Sequence, residues 1–140
     1  MFGAAGVAGT LVGGWATDRF GAIATSRTQL AVLVAMMGLL PLTQGSTPAT
    51  MAALVVWGIA GFGLMAPQQS HLASLSPAQA PLLLSLNGSM LYIGTALGAI
   101  ISGALLGTVG FAQLSWVGVP FGLLALLTLA FDRPTPSQLR

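Results

Sequence analysis

The chain has 140 residues, of which 55% are hydrophobic and only 4% charged, and its mean hydropathy is +0.91. A soluble domain carries about 25% charged residues, so this chain cannot cover a folded surface in water, and a soluble globular enzyme is excluded. Its four basic residues, all arginine, are scattered at segment ends and form no basic stripe for nucleic acid.

Residues 1–16 are apolar, glycine-rich and uncharged. As a helix they rise about 24 Å, short of the ~30 Å hydrocarbon core. They lack the basic start of a secretory signal, so the expectation is a short transmembrane helix. Ala5, Gly9 and Gly13 form one small-residue row, with Gly6, Thr10 and Gly14 beside it. Such rows let a second helix approach closely in lipid.

Residues 17–27 hold Asp18, Arg19 and Arg27 and read as a charged loop at the water surface. From Arg27 to Asp132 no charged residue intervenes. Asp or Arg at a bilayer centre costs roughly 2.5–3.5 kcal/mol, so that uncharged stretch is membrane. It divides into a second helix at 28–45 and a third at 49–67, with a breaker-rich turn between them. A polar loop follows at 68–80. A fourth helix at 82–107 and a fifth at 111–131 are separated by a tight turn, and a polar tail occupies 132–140. No window alternates as a barrel strand does, so the fold class expected is an all-α membrane protein of about five transmembrane helices, 1–140 forming a single domain.

The arginines orient it. Arg19 and Arg27 precede the second segment, and Arg133 and Arg140 follow the fifth. The positive-inside rule puts the loops 17–27 and 68–80 and the tail in the cytoplasm, which makes this a multi-pass cell (inner) membrane protein.

Little catalytic chemistry is available. With no cysteine there is no disulfide, thiolate metal site or cysteine nucleophile. His71 is the lone histidine and reads as a solvated loop residue, so no metal site is expected. The two aspartates lie at segment ends and form no acid/base pair. The glycine runs around Gly3 and Gly58 follow no strand and precede no Lys-Ser/Thr, so they are not nucleotide loops. No cofactor is implied. Intramembrane polar and aromatic groups are better candidates for a site: Trp57, Phe62 and Met65 on the third segment, and Asn87 and Tyr92 on the fourth. Small rows on the fourth segment, with Gly94 and Gly98 in one and Gly103 and Gly107 in the next, offer helix packing.

Residues 14–21 read Gly-Trp-Ala-Thr-Asp-Arg-Phe-Gly. With Gly14, Asp18, Arg19 and Gly21 so spaced between two apolar segments, the stretch resembles the "motif A" loop of the major facilitator superfamily. Pro67-Gln68-Gln69, Pro77-Ala78, Ser85-Leu86-Asn87-Gly88-Ser89 and Tyr92-x-Gly94-x-x-x-Gly98-x-x-x-x-Gly103 resemble the tenth-to-eleventh helix region of the drug or sugar efflux branch. One departure is Ala22 and Ile23, where the family has basic residues after the second glycine, which weakens the charge network expected there.

The resemblance implies the C-terminal half of that fold, from about the eighth helix to the twelfth. It implies proton-coupled efflux of a small molecule such as a drug or sugar, by alternating access and without enzyme activity. Asp18 would meet the N-terminal end of a neighbouring helix and, with Arg19, hold a cytoplasmic gate. Gly14 and Gly21 would let the backbone turn tightly. Trp57, Phe62 and Met65 would face the substrate cavity. The partners implied are the lipid bilayer, an N-terminal transporter half or other membrane helices, and the substrate. No Asp or Glu falls inside an apolar segment, so a proton-carrying acid would belong to the other half. Two alternatives are a small homo-oligomeric transporter or pore, and a non-transporting membrane assembly protein. The first is disfavoured because residues 1–16 lack the carboxylate such small exporters carry in their first helix.

Overall fold

The computed structural model describes residues 2–131, so the tail expected at 132–140, with Asp132, Arg133 and Arg140, lies outside the described residues. Helix α1 spans Phe2–Phe20, α2 Ala22–Leu39, α3 Thr47–Gly63, α4 Met65–Leu75 and α5 Ala80–Phe131. Short 3₁₀ turns at Leu40–Thr43 and Pro77–Gln79 begin with or next to a proline, whose fixed φ suits a first turn. There is no strand among the described residues. Four stretches are long and apolar enough to cross a membrane: Ala22–Thr43, Thr47–Leu75, Pro77–Val109 and Gln113–Phe131. The fold is that of an all-α membrane protein.

Two expected loops are helical instead. Of residues 17–27, only Gly21 leaves the helical conformation, because α1 runs on to Phe20 and α2 starts at Ala22. Charged side chains need water, not a loop, and the last turn of a helix that emerges from lipid provides it. With this extension α1 has 19 residues and rises about 28 Å, close to a full crossing. Residues 68–80 are likewise mostly helical, because α4 continues to Leu75. Pro67 was expected to end the third segment. It sits in the first turn of α4, where its fixed φ suits a helix, and the N–H it lacks leaves the Gly63 carbonyl without its helical donor, so it bends the rod between Gly63 and Met65 without ending it. Leu64 bridges the bend, donating to the Ala60 carbonyl at 3.2 Å and accepting from Gln68 at 3.3 Å.

Helices α1 and α3 run parallel, with Ala5 against Gly58, Gly9 against Ile59 and Gly13 against Gly63. Helix α2 runs antiparallel to α3, with Gln29 against Gly63 and Leu33 against Gly61. Much of the core they enclose is small, including Ala5, Ala22, Ala53 and Ala60 with Leu30 and Val34. In lipid, close van der Waals approach replaces hydrophobic burial as the force between helices.

The 52 residues of α5 would stretch about 78 Å if straight. They act as two arms, 80–109 and 113–131, of opposite sense. The first arm leaves the end of α4 and returns along it, so that Leu84, Asn87 and Leu91 border a cleft with Met65 and Gln68. At the far end of the bundle Val109 and Gln113 border one cleft with Pro41 and Gln44. The second arm then descends along α2, with Gly118 on Met37 and Gly122 on Val34. An apolar cavity of about 560 Å³ separates the arms, with Gly94 and Gly98 on one wall and Phe121 on the other. Apart from the neighbouring residues of its own helix, no atom of the described chain lies within 4 Å of a Cβ built on Gly94, Gly98, Gly103 or Gly107. The packing rows expected on the fourth segment therefore receive no helix here.

Candidate functional site

The corner between α1 and α2 is built by one residue. Gly21 has φ 85° and ψ 158°, a region open essentially to glycine alone. Its N–H still donates to the Thr17 carbonyl at 2.9 Å, and its carbonyl accepts from Thr25 at 3.1 Å. Both helical ladders are thus anchored on the residue that breaks them. A Cβ at Gly21 would meet nothing within 4 Å, so its penalty is torsional. Gly21→Ala is expected to cost about 2 kcal/mol, seen as a lower melting temperature in detergent. Gly14→Ala is expected to lower nothing. Gly14 is helical and equally open, so the close approach expected of it does not occur among the described residues.

Asp18 and Arg19 both lie in the last turn of α1 and are exposed. The dipole at a helix C-terminus favours Arg19 and disfavours a carboxylate, so Asp18 gains nothing from its own helix. The Arg19 guanidinium lies over the rings of Trp15 and Phe20, 5.8 and 5.9 Å from their centroids. Arg27 turns the other way. It donates to the Leu129 carbonyl, at 2.6 Å from Nη2 and 3.0 Å from Nε. This ties the Gly21 end of the bundle to the end of α5.

The aromatic and polar candidates do not share one cavity. Met65 and Asn87 do meet, in a cleft of about 270 Å³ between α4 and the first arm of α5. Phe62 borders a separate groove with Gly6, Val7 and Thr10 on α1. Trp57 is half-buried and lines neither. Tyr92 is 77% exposed and is not among the residues that line the cleft. The cleft's other polar lining residues, Gln68 and Gln69, fall where the sequence predicts a polar loop at 68–80 and so escape a search for intramembrane groups. The signal was available: a helix continued through Pro67 puts two carboxamides one turn beyond Met65, opposite Asn87. Their three carboxamides both donate and accept, and Met65, Leu84, Met90 and Leu91 supply the apolar remainder. His71 lies on α4 and is half-buried, not in a solvated loop. Among the described residues no three of His, Cys, Asp and Glu gather as a metal site would require.

Five apolar rods, a glycine corner beside an Asp-Arg pair and a polar cleft near the same end can be compared with known proteins. Residues 1–140 match the family model of the Major Facilitator Superfamily. The chain belongs to the major facilitator superfamily. It is 32% identical over 139 residues to an uncharacterized MFS-type transporter of Bacillus subtilis (strain 168), YbcL. That similarity covers 99% of the chain and 36% of the relative, so this major facilitator chain spans about a third of the relative's length. No solved structure matches it.

Proposed function

We propose that this chain works as the C-terminal part, about the eighth to twelfth helices, of a transporter that exports a small molecule such as a drug or sugar in exchange for protons. In alternating access, two halves rock about a site between them and expose it to each side in turn. The observation that carries this reading is the glycine corner at Gly21, set beside Asp18 and followed by four membrane-length stretches of alternating sense. That order fits the second copy of the family's loop motif. Arg19 and Arg27 lie toward the corner end, which the positive-inside rule makes cytoplasmic. The carboxylate of Asp18, exposed and opposed by its own helix dipole, has its use on a helix N-terminus of the other half. The cleft of Met65, Gln68, Gln69 and Asn87 lies on the substrate path, and the bilayer and the N-terminal half are the partners.

The test compares inverted membrane vesicles containing this chain alone with vesicles in which about seven further helices precede it. Substrate-driven proton flux is expected only from the longer protein. In that protein Asp18→Asn is expected to slow transport about three- to five-fold, the worth of one charge–dipole contact, with insertion unchanged. Flux from the short chain, or wild-type transport by the variant, refutes the reading.

A further inference from the structure

Val7, Leu11, Trp15 and Arg19 recur at every fourth residue and so form one ridge along α1. The first three are 64%, 69% and 59% exposed. The opposite face, Ala5, Gly9 and Gly13, is closed by α3. From Arg19 the ridge is apolar for about 18 Å as far as Val7, slightly more than the ~15 Å half-thickness of the hydrocarbon core. An aliphatic shaft, then an indole, then a guanidinium is the order of chemistry met in passing from the middle of a bilayer to its headgroups.

The cation at the end of the ridge is held in place. Trp15 and Phe20 meet edge to face, with centroids 5.9 Å apart at 83°, and the Arg19 guanidinium lies over both rings. A guanidinium stacked on a ring still has its N–H edge for a planar fork onto phosphate. Arg27 makes the contrast, since its guanidinium reaches inward to the carbonyls of α5.

We infer that this ridge faces bilayer lipid and that Arg19, braced by Trp15 and Phe20, binds the phosphate of an anionic phospholipid. The inference does not depend on transport. The chain in neutral detergent is titrated with phosphatidylglycerol, phosphatidylcholine or inorganic phosphate while thermal unfolding is followed. Phosphatidylglycerol is expected to stabilise the wild type at the lowest concentration, and high salt to weaken the effect. Arg19→Gln, an exposed substitution, is expected to raise the concentration required about five-fold. Trp15→Leu, which leaves the charge but removes its brace, is expected to raise it by a smaller factor. An Arg19→Gln response equal to wild type overturns the inference, as does inorganic phosphate matching the lipid. So does disappearance of the Arg19-dependent response once the preceding helices are present, because the ridge would then be covered by protein.

Discussion

Replacing Gly13 with leucine is expected to separate α1 from α3. A Cβ on Gly13 would overlap the carbonyl oxygen of Gly63 and lie 2.7 Å from its Cα, and neither atom can rotate aside. One turn earlier, a Cβ on Gly9 would lie 2.6 Å from the Ile59 carbonyl, so the crossing is tight along its length. Gly63 is also the residue whose carbonyl loses its helical donor, because Pro67 has no N–H to give. Leucine would drive its side chain into this oxygen and the Gly63 backbone. Such overpacking costs about 1–3 kcal/mol. The readout is disulfide trapping. The chain has no cysteine, and a Cβ on Gly58 would lie 3.4 Å from that of Ala5, near the ~3.8 Å of a disulfide. Ala5→Cys with Gly58→Cys is expected to cross-link readily and to stop when Gly13→Leu is added. Gly14→Leu, one residue away with open space around it, is the control expected to leave cross-linking intact. Equal cross-linking in the Gly13→Leu protein would mean that the helices do not meet at this residue.

The use of the Gly9 and Gly13 row was legible in the sequence because it depends on spacing alone. Every fourth residue shares a helix face, and a row of missing side chains in an apolar segment has few uses besides close approach. The same logic did not reveal that α3 fills the α1 row while nothing in the described chain fills the row at Gly94 and Gly98. Spacing marks a face but not what lies against it. The two misread loops share one physical error, in which polar residues were equated with an absence of helix. Gln68, Gln69 and Ser70 carry no formal charge and tolerate helical backbone near a bilayer edge. With α4 unrecognised, the two glutamines opposite Asn87 were lost with it. At Gly21 the turn between α1 and α2 is only one residue wide, a width that no loop length in the sequence announces. The partner of Arg27 was beyond the sequence, since it lies 102 residues away and is backbone.

That contact carries the other large effect. Helix α5 is described as far as Phe131, and Pro134 in the sequence has no N–H to give the Ala130 carbonyl. Leu129 and Ala130 lie in the last described turn, and Arg27 donates to both, at 2.6 and 3.0 Å to the first and 3.4 Å to the second. Near the edge of a bilayer little water is present to substitute, so an unmade bond there costs more than on a soluble surface. A hydrogen bond from a charged group is worth about 1.5–3 kcal/mol, and a cation at a helix C-terminus adds roughly 0.3–1 kcal/mol. Arg27→Ala is accordingly expected to cost about 3 kcal/mol. Arg27→Lys keeps the charge but loses the fork that reaches two carbonyls at once, and its loss is expected to be about half as large. Hydrogen exchange separates this local effect from general loosening. Amides in the last two turns of α5 are expected to exchange faster in the alanine variant, intermediate in lysine, with those at the α1–α3 crossing unchanged. Unaltered exchange near Leu129 would mean that Arg27 does not cap α5. The consequence reaches beyond stability. The tie fixes the end of α5 beside the first turns of α2, which holds the second arm in its descending sense and sets Phe131 at the same end of the bundle as the Gly21 corner.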